Sequence, residues 1–135
     1  MRFVTVDDVL RLHEAEGGGL AGLDFGLLES AVFRPQASAG GDDAYPGVHL
    51  KAAALLHSLI GNHPFVDGNK RTGWLSVVEF YALNGYGMTA TNDDVVDMVR
   101  AVARGELSVE EIAAWLDGGT VYEIGGPIPE DDDAA

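Results

Sequence analysis

His63-Pro64-Phe65-Val66-Asp67-Gly68-Asn69-Lys70-Arg71 joins two apolar segments and sets the reading of the whole chain. Upstream, Leu50 to Asn62 is a run of Ala, Leu, Ile and Lys without an internal breaker, which predicts a helix. Downstream, Thr72 to Leu83 carries Trp74, Leu75, Val77, Val78, Phe80, Tyr81 and Leu83, an apolar band too broad for a surface helix and suited to a largely buried one. The nonapeptide therefore links two core helices, and its C-terminal half opens the second. A helix start offers unpaired N–H groups and the positive end of the macrodipole, both of which favour anions. Gly68 can take positive φ and leaves no Cβ in the way of a phosphate. Lys70 and Arg71 add charge, Arg71 with a fork that can grip two phosphate oxygens. His63 is a candidate proton acceptor and Asp67 a candidate metal ligand, so the nine residues carry the equipment of a phosphate site.

Each of these residues also has a plainer reading. His63-Pro64 is a dipeptide that ends helices, Asp67 can serve as the N-cap of the following helix, and Lys70-Arg71 can be an ordinary solvated pair. Cations at a helix start oppose the macrodipole, so the pair calls for a compensating anion. Of the other histidines, His57 reads as a packed or hydrogen-bonded core residue, His13 and His49 as surface residues. No two histidines are three or four apart and cysteine is absent, which excludes a zinc site of the usual ligand spacing. Glu29 reads as a partner for Arg34.

At 135 residues the chain is expected to form one domain able to bury a core without staples. It has no cysteine, hence no disulfide framework and no thiolate nucleophile. No apolar run approaches the length of a membrane span and no signal-peptide pattern follows Met1, so the expectation is a cytoplasmic protein with no membrane partner. The formal charge of −14, from 22 acids against 8 Lys plus Arg, argues against a nucleic-acid partner.

Outward from the nonapeptide, Thr5 caps a helix to about Glu16 that stops at Gly17-Gly18-Gly19. Asp24 caps another over Phe25 to Phe33, ended before Pro35. Residues 34–47 are dense in turn formers and predict a loop or small hairpin. Asn84-Gly85 stops the second core helix, Tyr86 to Ala90 is extended, Thr91 caps a helix to about Arg104, and Ser108 with Glu111 forms a capping box for a last helix through Leu116. The expected architecture is all-α, a single domain of about six helices over residues 1–117. Residues 118–135 are a Gly, Pro and acid tail, expected to be disordered at its end.

Residues 63–71 resemble the signature of the Fic/Doc family, His-x-Phe-x-Asp/Glu-Gly/Ala-Asn-Gly/Lys-Arg, with every fixed position satisfied. Gly22-Leu23-Asp24, Leu28-Glu29-Ser30-Ala31, Arg34-Pro35-Gln36, Tyr45-Pro46, Lys51-Ala52-Ala53 and Asn84-Gly85-Tyr86 resemble the death-on-curing (Doc) branch at similar spacings, so the resemblance covers about residues 3–117. It implies an all-α fold, ATP and Mg²⁺ as cofactors, and modification of a Ser/Thr hydroxyl on a target protein. Most of the family transfers AMP. The Doc branch instead acts as a kinase on a threonine of elongation factor Tu, halting translation, and is held in check by a small Phd-like antitoxin. Lys70, a Gly in typical AMP-transferring members, places this chain with Doc.

Carried over by position, His63 is the general base, Phe65 a core anchor, Asp67 the Mg²⁺ ligand, and Gly68, Asn69, Lys70 and Arg71 the phosphate cradle. Gln36, Ala37 and Ser38 lie in the flap that docks the target as an added strand. Pro64 and Gly68 match the AMP-transferring consensus better than Doc, which keeps AMP transfer as the alternative. Gly61 stands where many relatives carry a basic residue. A non-catalytic nucleotide- or antitoxin-binding remnant is a third reading, disfavoured by the full set of motif residues. Thr120 to Ile124 has the wrong spacing for the family's inhibitory Glu motif, so inhibition is expected in trans.

Overall fold

A computed structural model describes residues 1–125 of the chain. Six helices carry the fold: α1 (Val6–Ala15), α2 (Phe25–Phe33), α3 (Val48–Asn62), α4 (Asn69–Leu83), α5 (Asn92–Ala103) and α6 (Val109–Leu116). Four of them begin where a short polar side chain satisfies an orphan amide. Thr5 and Ser108 close reciprocal capping boxes with Asp8 and Glu111, Asp24 accepts from Leu27 N–H, and Thr91 accepts from Asp94 N–H.

α3 is the central element, packed against α2, α4, α5 and α6. Ala52, Ala53, Ala54, Leu55, Leu56, Leu59 and Ile60 are all buried, and the alanine run lets neighbouring helices approach on more than one side. It begins at Val48, two residues before the expected start, because Gly47 at φ 86° turns the chain into it. α4 buries Val77, Phe80 and Tyr81 but leaves Trp74, Leu75 and Val78 half-exposed, so it is less enclosed than its apolar band predicts.

Two short ribbons complete the domain. In the first, β1 (Ser38–Ala39) pairs antiparallel with β2 (Asp42–Asp43) across Gly40-Gly41, both at positive φ as a two-residue hairpin turn requires. In the second, β3 (Tyr86–Met88) pairs with β4 (Val121–Glu123), and Val121 packs against the core. The expected domain boundary at 117 therefore falls inside the folded unit. The expected disorder of the acidic end concerns residues outside those described. No described helix is long and apolar enough to cross a membrane.

Candidate active site

Pro64 disfavours α conformation at the residue before it, so α3 ends at His63, which caps it at φ 52°, ψ 54°. Among the described residues this is the one non-glycine with positive φ. The imidazole is left exposed at the helix end. Two hydrogen bonds hold this junction to α2: Asp24 N–H donates to Pro64 O at 2.9 Å, and the Asn62 side-chain Nδ2 donates to Leu27 O at 3.1 Å.

Phe65 fixes the middle of the loop. Its ring is buried, and its own N–H and C=O are both bonded by the buried Asn69 amide, at 3.0 and 2.8 Å. Asn69 was expected in the phosphate cradle; its Oδ1 and one Nδ2 hydrogen clamp the loop, which leaves the second Nδ2 hydrogen and the backbone amide for other partners. On the other side, His13 stacks on Phe65 with ring centroids 3.7 Å apart and planes 13° from parallel.

His13 corrects the sequence reading. It is 2% exposed, not a surface residue. Its Nε2 donates to Gly19 O, a pure acceptor, at 3.1 Å, and its Nδ1 bonds with Thr72 Oγ1 at 2.9 Å, as acceptor when the ring is neutral. One ring thus joins α1, the Gly17–Gly19 turn, the motif loop and the first turn of α4. A Cβ on Gly18 would lie 2.3 Å from that Nε2, so the glycine run is shaped around the histidine as well as ending α1. The sequence did carry a signal: His13 follows Val9 by four residues and continues the buried stripe of the helix.

The start of α4 is bare. Gly68 is the N-cap at φ 83° with no side-chain cap, and the first turn holds no acid. Asp67 is not the N-cap; its Oδ1 accepts from Gly68 N–H at 2.8 Å and its side chain stays exposed. The first helical bond is Thr72 N–H to Gly68 O at 2.9 Å, so the three amides before it face outward. Lys70 and Arg71 are exposed and make no ion pair among the described residues.

These pieces meet in a groove of about 940 Å³ lined by His63, Asp67, Gly68, Asn69, Lys70 and Arg71 on one side. Trp74 and Leu75 of α4 and Val95, Val96, Val99 and Arg100 of α5 form the rest of its wall. A second hollow of about 350 Å³ lies between the motif loop and Gly17–Gly19, and shares Asp67, Gly68 and Arg71. Neither includes Gln36, Ala37 or Ser38: Gln36 ends a 3-10 turn (Arg34–Gln36), Ala37 caps it, and Ser38 opens β1.

The family model described as the Fic/DOC family matches residues 3–81. The chain belongs to the Fic/DOC family. It is 47% identical over 119 residues to a protein of Mycolicibacterium smegmatis named Toxin Doc, spanning 86% of this chain and 92% of that one. It is 31% identical over 120 residues to the Protein kinase doc of Escherichia phage P1, spanning 86% and 94% respectively.

In this Fic/DOC domain the flap is tied to α3 by cations. The buried Lys51 Nζ donates to Asp43 Oδ2 at 2.9 Å and to Tyr45 O. Arg34 pairs not with Glu29, as expected, but donates from Nε to Tyr45 Oη at 2.9 Å and from Nη1 to His57 Nδ1 at 2.8 Å. His57 is hydrogen-bonded as predicted, and burial followed by the Arg34 charge lowers its pKa. His49, expected on the surface, is half-buried with Nδ1 2.8 Å from Tyr81 Oη and Nε2 3.3 Å from Asp117. Burial pushes the Tyr81 hydroxyl well above its usual range.

Proposed function

We propose that this chain is a Doc-type toxin enzyme that moves the terminal phosphate of ATP to a Ser/Thr hydroxyl of a target protein, elongation factor Tu being the candidate. The observation that carries the reading is that one groove is lined by a base (His63), a carboxylate (Asp67), the bare start of α4 and two cations (Lys70, Arg71) that are unpaired among the described residues. The names Toxin Doc and Protein kinase doc, borne by relatives aligned over nearly their whole lengths, support it.

In the proposed reaction His63 takes the proton from the target hydroxyl as its oxygen bonds to the γ-phosphorus. The bridging bond to the β-phosphate breaks and ADP leaves. The amides of 69–71, Lys70 and Arg71 hold the phosphoryl oxygens where charge builds up, which is the main lever in phosphoryl transfer. Mg²⁺ usually takes one or two protein carboxylates together with substrate phosphates, and Asp67 beside the anion site fits that pattern. When bound, the ion supplies charge neutralisation. In the flap, 36–38 with β1, one edge of β1 has no strand partner among the described residues, and a target segment adds there. A Phd-like antitoxin segment laid along α5 beside the groove is the proposed inhibitor, and the acidic chain favours a basic one.

AMP transfer is the second reading, favoured by Pro64 and Gly68. The test is to incubate the chain with elongation factor Tu and ATP labelled on the γ- or α-phosphate. The proposal expects γ-label in the target; α-label would establish AMP transfer instead, and neither label would contradict both.

A further inference from the structure

We infer that α5 supplies a third phosphate-binding cation, Arg100, so that the groove grips a polyphosphate from two walls and discriminates by phosphate-chain length. Four of the eight Lys and Arg residues are committed elsewhere: Arg11 to Asp8 and Glu79, Lys51 to Asp43, Arg104 to Glu106, and Arg34 to Tyr45 and His57. Of the other four, Lys70, Arg71 and Arg100 all line one groove, and none makes a side-chain hydrogen bond or ion pair among the described residues.

For Arg100 this is unexpected on charge grounds. The chain carries −14, and Asp97 sits one helical turn before it on α5, a spacing at which such pairs commonly form. Among the described residues the guanidinium nonetheless makes no ion pair and lines the groove. The groove thus holds three cations against the single carboxylate of Asp67, and an anion bound among them offsets the excess positive charge. Lys70 and Arg71 stand with the amides of one helix end and suffice for a single phosphate. Arg100 comes from the opposing helix, so only a longer chain reaches it as well. The groove, about 940 Å³, has room for such a ligand together with a nucleoside.

The inference rests on the reading of the groove as a nucleotide-phosphate site, and the experiment separates the two. Binding of inorganic phosphate, pyrophosphate and tripolyphosphate to the full chain is measured by calorimetry, for wild type and for Arg100→Met, Arg100→Lys and Arg71→Met, with circular dichroism to verify folding. Arg100→Met should weaken tripolyphosphate about tenfold, the low end for a charge-assisted hydrogen bond at an exposed site. It should leave inorganic phosphate nearly unchanged, and Arg100→Lys should recover part of the loss because charge is kept and the fork is not. Arg71→Met should weaken all three ligands. If Arg100→Met changes nothing, or weakens all three equally, the two-walled grip is overturned while the α4 site stands. If wild type binds none of them, the phosphate reading itself fails and the grip fails with it.

Discussion

A histidine held in left-handed conformation costs about 1–2 kcal/mol that glycine would not. His63 keeps that cost at the end of α3, where a glycine cap is the usual solution. His63→Gly should therefore be no less stable than wild type in thermal melts, while phosphate transfer falls by about 10²–10⁴ as expected for loss of a general base. The opposite pattern, with lost stability and retained transfer, would make His63 a structural residue. His13 should behave in reverse. Truncation of its buried ring to Ala removes the stack on Phe65 and leaves Thr72 and Gly19 without partners, a cost of about 3 kcal/mol in urea unfolding. Lys70 bears on the type of transfer. If its side chain occupies space that AMP-transferring relatives leave to phosphates, Lys70→Gly should lower the ratio of γ- to α-label reaching the same target. An unchanged ratio would remove Lys70 as the determinant, whatever the overall rate.

Among the elements, the flap has a titratable tie. Arg34 donates to His57, and that bond requires a neutral imidazole. Burial, then the Arg34 charge, lowers the His57 pKa below its ordinary 6.5, while Glu110 pulls the other way. The folded state therefore binds fewer protons than the unfolded chain as pH falls through this window. The associated stability is fully present above about pH 6.5 and is lost on acidification toward the folded value. The protection of the Ala44 amide against hydrogen exchange, relative to its intrinsic rate at each pH, should fall over that range, since it bonds to Ala37 O across the flap. His57→Gln should flatten the dependence; an identical pH profile in the variant would place the tie elsewhere. Helices were legible in the chain because their caps are local: Thr5, Asp24, Thr91 and Ser108 each sit where the structure uses them. The ribbons were less so. β4 is three residues long and gains its place by pairing with β3, more than thirty positions earlier, which no local pattern encodes.

For the molecule as a whole, the same divide between local and distant contacts explains which site residues could be read. Residues 63–71 are contiguous, so their chemistry was visible before any fold was known. His13 meets Thr72 across 59 residues, and Arg100 reaches the groove only because α5 packs beside α4; neither partnership has a sequence signature. Asn69 shows the limit within the motif itself: its residue type suits an anion, but that its side chain also clamps Phe65 is visible only in the fold. Against the overall charge of −14, the groove is a local cationic exception, and the central claim is that it serves transfer of a single phosphoryl group. The most direct measurement is the mass of intact elongation factor Tu after incubation with the chain and Mg²⁺-ATP, with His63→Ala as control. The account predicts one added phosphoryl group that the His63→Ala reaction lacks. An added nucleotidyl group, or a phosphoryl group that His63→Ala still installs, would contradict it.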